Sequence, residues 1–208
     1  AEKMISVSDN TAADHLIAFV GRGAVESAVK ASGHAKPLDL APFLSTREMF
    51  ALKLLATPDE RSAYVAADAA HRRRLLDAHG KRDPAEMMAR APSFAAPIMI
   101  DSLEWLASPE DLCKVIVDLH ERAGATATAP IGAILSMNPG IPDEKQQYRS
   151  IGFKGGSEPG VLNMTFVLQR ARDGKWLFLT TGFNDTSAPI DETKAIAAVT
   201  TAREFLGR

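Results

Sequence analysis

The order of patterns along this chain predicts an α+β architecture, with helices first and an antiparallel sheet after them. Three observations carry that prediction. The first two thirds repeat apolar residues at helical spacing between Gly and Pro breaks. From Tyr148 onward the runs become rich in β-formers and flank an Asp173-Gly174 turn signal. A final amphipathic stretch closes the chain, and segregation of helices from antiparallel strands marks this class.

Thr11 to Val20 sets Leu16, Ile17, Phe19 and Val20 on one broad apolar face before Gly21 and Gly23 interrupt it. Ala24 to Ala31 reads as a short helix with Val25 and Val29 inward, ending near Gly33, and Pro37 and Pro42 mark a connection. Ser45-Thr46-Arg47-Glu48 has the form of a capping box, with Met49, Phe50, Leu52, Leu54 and Leu55 as the buried stripe. Pro58-Asp59-Glu60 opens a helix expected to run towards Gly80, and Pro84, Pro92 and Pro97 punctuate a less regular region. Ser108-Pro109-Glu110-Asp111 is a helix start, with Leu112, Val115, Ile116 and Leu119 inward and an end near Gly124. The strands are expected over Tyr148–Lys154, Val161–Gln169 and Trp176–Thr181. The last helix is expected to bury Ile196, Val199, Ala202, Phe205 and Leu206.

The chain divides on this reading into a mainly helical part, 1–147, and a sheet part, 148–208. A three-stranded sheet covered on one face leaves its edges exposed, so further strands are expected upstream of Ala1. With 208 residues, the chain is long enough to bury a sizeable core. A net charge of −2 gives no field that would gather nucleic acid, and Arg72-Arg73-Arg74 reads as a solvated helix face. The single cysteine, Cys113, excludes an internal disulfide and reads as a small buried hydrophobe. No run approaches the ~20 apolar residues of a membrane span. The five histidines lack metal-ligand spacing and the glycine-rich 152–160 stretch lacks a phosphate-binding helix, so neither metal nor cofactor is expected.

Two short motifs carry the chemistry. Ser8-Asp9-Asn10 stands just before a helix, and Lys154-Gly155-Gly156 stands on a strand leading into a hairpin. Each alone has a structural explanation, as an N-cap cluster and as a strand end. Together, with the Ser108-Pro109-Glu110-Asp111-Leu112 helix start between them and Thr180-Thr181-Gly182 after them, the order resembles class A β-lactamases and penicillin-binding proteins. That family carries S-x-x-K, then S-D-N, then K-T-G. The stretch Pro42 to Phe50 looks closer to a divergent branch that includes esterases linked to clavam biosynthesis.

The resemblance implies a serine hydrolase acting through an acyl-enzyme on a β-lactam, peptide or ester. In that scheme Ser8 relays a proton to the leaving group and Asn10 holds a substrate carbonyl. Lys154 supplies positive potential for a substrate carboxylate. Gly155 and Gly156 leave room along the strand edge, and the Ser157 amide is one oxyanion donor. A bacterial, periplasmic or secreted location goes with it.

Three departures qualify the resemblance. No S-x-x-K precedes Ser8, and Ser27-Ala28-Val29-Lys30 comes after S-D-N and reads as coincidence. The expectation is therefore an incomplete copy, unable to acylate alone, with the nucleophile on a missing N-terminal segment. Gly155 replaces a hydroxyl residue, and Asn163 stands near where many class A enzymes place an arginine. Glu48 lies where a water-activating glutamate is sought, but its capping role accounts for it. A relative that binds ligands without turnover, an esterase or DD-peptidase, and an unrelated α+β domain are the alternatives.

Overall fold

The computed structural model describes residues 1–79, 82–125, 128 and 130–208. It has the predicted α+β order: α1 (Glu2–Ser6), α2 (Asn10–Val20), α3 (Arg22–Ala31), α4 (Thr46–Phe50), α5 (Pro58–Ala66), α6 (Ala69–His79), α7 (Pro84–Arg90), α8 (Pro109–Ala123), α9 (Pro130–Leu135), then β1 (Tyr148–Glu158), β2 (Val161–Arg170), β3 (Trp176–Asn184) and α10 (Glu192–Gly207).

Local chemistry sets these boundaries. Ser45 accepts from the Glu48 amide while Glu48 reaches back to the Ser45 amide, and Thr57 with Glu60 repeats the device at α5. The helix expected from Pro58 towards Gly80 breaks at Ala67, because Asp68 caps a new start by accepting from the His71 amide at 2.7 Å. Its expected end at Gly80 lies outside the described residues. After α4 the backbone widens into a π-helical turn, Ala51–Leu55. That turn rotates the Lys53 side chain into the protein, where it is fully buried.

One apolar cluster joins Leu44, Met49, Leu52, Tyr64, Leu76 and Leu103. Arg72 laces α5 and α6 to the preceding connection through the carbonyls of Tyr64, Val65, Asp39 and Ala41, so the basic run contributes a structural tie as well as a surface.

The sheet is antiparallel in the order β1-β2-β3. Its faces follow the period of two. Met164, Phe166 and Leu168 of β2 meet Val199 of α10, whereas Val167 meets Ile116 of α8 and Leu135 of α9. Both faces are therefore covered, which corrects the expectation of one open face. The amphipathic α8 supplies the second layer.

Three further expectations change. In α10 the buried stripe is Ala195, Val199, Arg203 and Gly207, while Phe205 is 69% exposed. The helix is turned by Arg203, which donates to the Ile141 and Pro142 carbonyls and lies 5.8 Å from the Phe166 ring centroid. Val115 faces outward and Cys113 is half-buried. No residue of α2 is fully buried, and Phe19 is 87% exposed.

Asp111 anchors α8 to the helical part. It accepts from the Ser108 hydroxyl and amide and from the Ala35 amide, and these bonds, the hydroxyl's first, hold its carboxyl at about 2 against an ordinary 3.8. A carboxyl depressed by folding contributes stability above its unfolded value and loses it as the pH falls through its folded one. Asp111→Ala should lower the unfolding free energy by roughly 1–3 kcal/mol. Urea melts should also show the wild type losing this difference between pH 4 and 2, approaching the variant.

Candidate functional site

The tight connection between α1 and α2 builds one wall. Asp9 caps α2 by accepting from the Ala12 amide at 2.9 Å, and this leaves Ser8 in the left-handed region with φ of 54°. A non-glycine residue pays for that conformation, and here it is held where its hydroxyl meets another element. The Lys154 Nζ donates to Ser8 Oγ at 2.8 Å, across 146 residues of sequence, and also to the Gly155 carbonyl. Burial lowers the Lys154 pKa below its ordinary 10.5. Asn138 donates to the Ser6 carbonyl at 3.0 Å and so fixes α1 against the connection that leads into β1.

Ser8 and Lys154 line a cleft of about 550 Å³ together with Asn10, Gly155, Gly156 and Ser157. All six residues expected to form the site thus border one cavity. Asn10 opens α2 and is exposed, as are Gly156 and Ser157. An adjoining apolar cavity of about 420 Å³ runs along α2 past Leu16, Ile17 and Phe43.

The motif lies within a strand rather than at its end. β1 continues to Glu158, and the turn comes at Pro159-Gly160, where Gly160 has φ of 84°. The glycine at position 155 has a steric cause. A Cβ there would stand 2.7 Å from the Phe153 ring and 3.3 Å from the Asn163 carbonyl oxygen, so the usual hydroxyl residue does not fit beside this phenylalanine. A Cβ at Gly156 would meet nothing within 4 Å, so that position is open to the cleft. Asn163 also borders the cleft.

Glu48 is consumed by structure. It takes a two-pronged pair from Arg22, at 2.7 and 3.0 Å, besides the Ser45 amide at 2.8 Å. Ser27 is exposed on α3 and donates to the Gly23 carbonyl at 2.8 Å, outside the cleft.

The site holds charges that sequence reading missed. Lys53, with no side-chain exposure, donates to both Glu104 and Glu158, whose side chains are 14% and 13% exposed and border the cleft. Burial, and then the hydrogen bond that the protonated Glu158 gives to the neighbouring Glu104 carboxylate, push the Glu158 carboxyl up to about 7, against the pull of Lys53. Glu158 stands four residues beyond Lys154, hence on the same face of β1 and about 13 Å along it. The period of two could have revealed Glu158. Lys53 gave no signal, because Leu52-Lys53-Leu54-Leu55 reads as an apolar helix with one solvated lysine.

Among the described residues no group of three or more His, Cys, Asp and Glu side chains is placed to hold a metal ion, and no helix is long and apolar enough to cross a membrane.

Comparison with known proteins adds the following. Residues 1–91 match the family described as the beta-lactamase enzyme family, a segment that includes Ser8, Asn10, Glu48 and Lys53 but ends before Lys154. The crystal structure of beta-lactamase from Sphaerobacter thermophilus DSM 20745 is similar at 18% identity, with a TM-score of 0.48, over 89% of this chain and 54% of that one. The chain therefore spans about half the length of that structure. No curated protein sequence matches it. Over residues 1–91 the chain is therefore similar to the beta-lactamase enzyme family.

The raised Glu158 carboxyl makes a stability prediction. An acid whose folded pKa is raised contributes stability below its unfolded value, near 4.5, and loses it as the pH rises through about 7. Melting temperatures should therefore fall more between pH 5 and 8 for the wild type than for Glu158→Gln. Lys53→Met should cost about 3–5 kcal/mol. Adding Glu158→Gln to it should recover part of that loss.

Proposed function

We propose, taking the β-lactamase-like family of the chain as premise, that this cleft is the substrate-binding and proton-relay part of a serine hydrolase site. Its substrate would be a β-lactam or a related amide or ester, processed through an acyl-enzyme. The observation that carries the reading is the 2.8 Å contact between Lys154 Nζ and Ser8 Oγ, which ties the S-D-N and K-G-G motifs into one unit.

The chemistry follows from the direction of that hydrogen bond. Lys154 donates, so the Ser8 hydroxyl keeps its own proton for the cleft. When the scissile bond breaks, Ser8 would give that proton to the leaving nitrogen or oxygen and take another from Lys154. The depressed Lys154 pKa makes this second transfer easier. The same ammonium would attract a substrate carboxylate. Asn10 would donate to a substrate carbonyl, and the Ser157 amide would serve the oxyanion. Gly156 leaves the strand edge unobstructed.

On this reading Ser8 is the relay and the acylated serine reaches the cleft from another segment, since Ser27 stands outside it. An exported location, periplasmic or secreted, accords with such an activity. A second reading, a ligand-binding relative without turnover, draws on the Phe153 ring, which denies position 155 the hydroxyl that would hold a β-lactam carboxylate.

The test is intact-mass measurement of this chain after incubation with benzylpenicillin and with p-nitrophenyl acetate, alongside equilibrium binding of benzylpenicillin. The expected result is no covalent adduct and reversible binding that Lys154→Ala weakens at least about tenfold, as loss of a charge-assisted contact would. An adduct mapped to Ser8 would make Ser8 the nucleophile and overturn its relay role. Binding indifferent to Lys154 would remove the cleft from the reading.

A further inference from the structure

The apolar cavity of about 420 Å³ is continuous with the cleft, because Ser8, Asn10, Thr46, Trp105 and Lys154 border both. One wall is α2. Ala13, Leu16, Ile17 and Val20 recur at helical spacing and turn the apolar side of that helix to the cavity instead of to a core. From Asn10 to Val20 the helix rises about 15 Å. Thr46 ties α4 to this wall, its amide donating to the Asp14 carboxylate at 2.6 Å. A second wall carries Phe43 and Trp105, with ring centroids 6.4 Å apart. Three side-chain contacts fix this pair. Glu26 accepts from the Phe43 amide at 3.0 Å, Arg22 donates to the Phe43 carbonyl at 2.5 Å, and the Trp105 indole donates to the Leu44 carbonyl at 2.9 Å. Trp105 nevertheless stays 38% exposed. A large aromatic surface held in place yet left open, at the junction of two cavities, has the character of a preformed ligand wall. The cation on the lining is Lys154, which forms no ion pair among the described residues, while the acid on it, Asp9, is engaged in capping α2. The cavity is thus apolar along α2 and has an uncompensated ammonium at the end it shares with the cleft.

We propose that this cavity receives the alkyl chain of an amphipathic carboxylate, with the carboxylate at Lys154 and the chain lying along α2 towards Val20 and Val25. The proposal rests on the reading of the cleft as a substrate site and adds the class of substrate, one whose anionic group bears an extended aliphatic chain. Charge and shape both fit such a ligand. The Lys154 ammonium has three N–H donors, of which Ser8 and the Gly155 carbonyl take two, so one remains for the carboxylate. The chain covers the apolar stripe of α2 and the faces of Phe43 and Trp105, and each methylene removed from water raises affinity by about threefold. Phe43 and Trp105 determine specificity here, and Arg22 and Glu26 are positioning residues that act through the Phe43 backbone.

The experiment titrates this chain with hexanoate, octanoate, decanoate, decanol and decylamine by calorimetry, and follows its oligomeric state by size-exclusion chromatography with light scattering. The subsite predicts an affinity that rises about threefold per methylene from hexanoate to decanoate, and decanoate bound more tightly than decanol or decylamine. Lys154→Ala should remove the preference for the carboxylate and keep the dependence on chain length. Val20→Asn combined with Val25→Asn, both at partly exposed positions, should cut the advantage of decanoate over hexanoate several-fold and leave hexanoate unchanged. Trp105→Ala should weaken decanoate several-fold; if that variant does not fold, the chain-length series and the Val20 and Val25 pair decide. Equal binding of decanoate and decanol marks plain adsorption to apolar surface and overturns the subsite. A chain that is dimeric when free, and stays dimeric with decanoate in excess, has this groove covered by a second copy and overturns it too. Benzylpenicillin reports separately on the cleft: if its binding still depends on Lys154 while hexanoate and decanoate bind alike, the cleft reading stands and this inference is refuted.

Discussion

The period-two alternation of β1, held in register by β2, is the constraint on which the site depends. Because successive side chains leave a strand on opposite faces, Lys154 and Glu158 must project together while Phe153 goes the other way to pack against Phe166 at 4.8 Å between ring centroids. A slip of one residue would send Lys154 into the α10 face and bring Phe153 towards Ser8. The register is protected by the buried pattern of β2, where Leu162, Met164, Phe166, Val167 and Leu168 are all buried between two helical layers. The geometry of the cleft is thus a consequence of hydrophobic packing two strands deep.

The second requirement is that the α1–α2 connection arrive at the same place. Asp9 caps α2 and Asn138 grips the Ser6 carbonyl, and between these two anchors Ser8 accepts a left-handed backbone. Strain at one residue is offset by the two fixed neighbours, which is how a short polar turn can aim a hydroxyl at a lysine far away in sequence. The cleft is then polarised along β1, with an ammonium at the Ser8 end and a carboxylate pair at the other.

Much of this was legible from sequence, and the failures are instructive. Helix starts at Ser45, Thr57 and Ser108 follow from capping chemistry that acts over four residues, so they could be read locally. The pairing of Ser8 with Lys154 could be read only through a family resemblance, since nothing local links positions 146 apart. The burial of Lys53 depends on a π-helical turn and on partners 51 and 105 residues away, and its neighbours in sequence give no hint of either. The stripe of α10 was misassigned because apolar residues alone were counted. Arg203, pulled in by two carbonyls and an aromatic ring, outweighs Ile196 and Phe205. The glycine at 155 looked like a lost hydroxyl in sequence; in the fold it is the residue that lets Phe153 pack.

The most direct test of the central claim, that Ser8 and Lys154 act as one unit in a ligand-binding cleft, is heteronuclear NMR of the Lys154 side chain as a function of pH, with and without benzylpenicillin. The account predicts a titration below that of the other lysines, moving upward when the ligand carboxylate is present and altered by Ser8→Ala. A Lys154 that titrates with the solvent-exposed lysines and ignores both the ligand and the Ser8 substitution would contradict it.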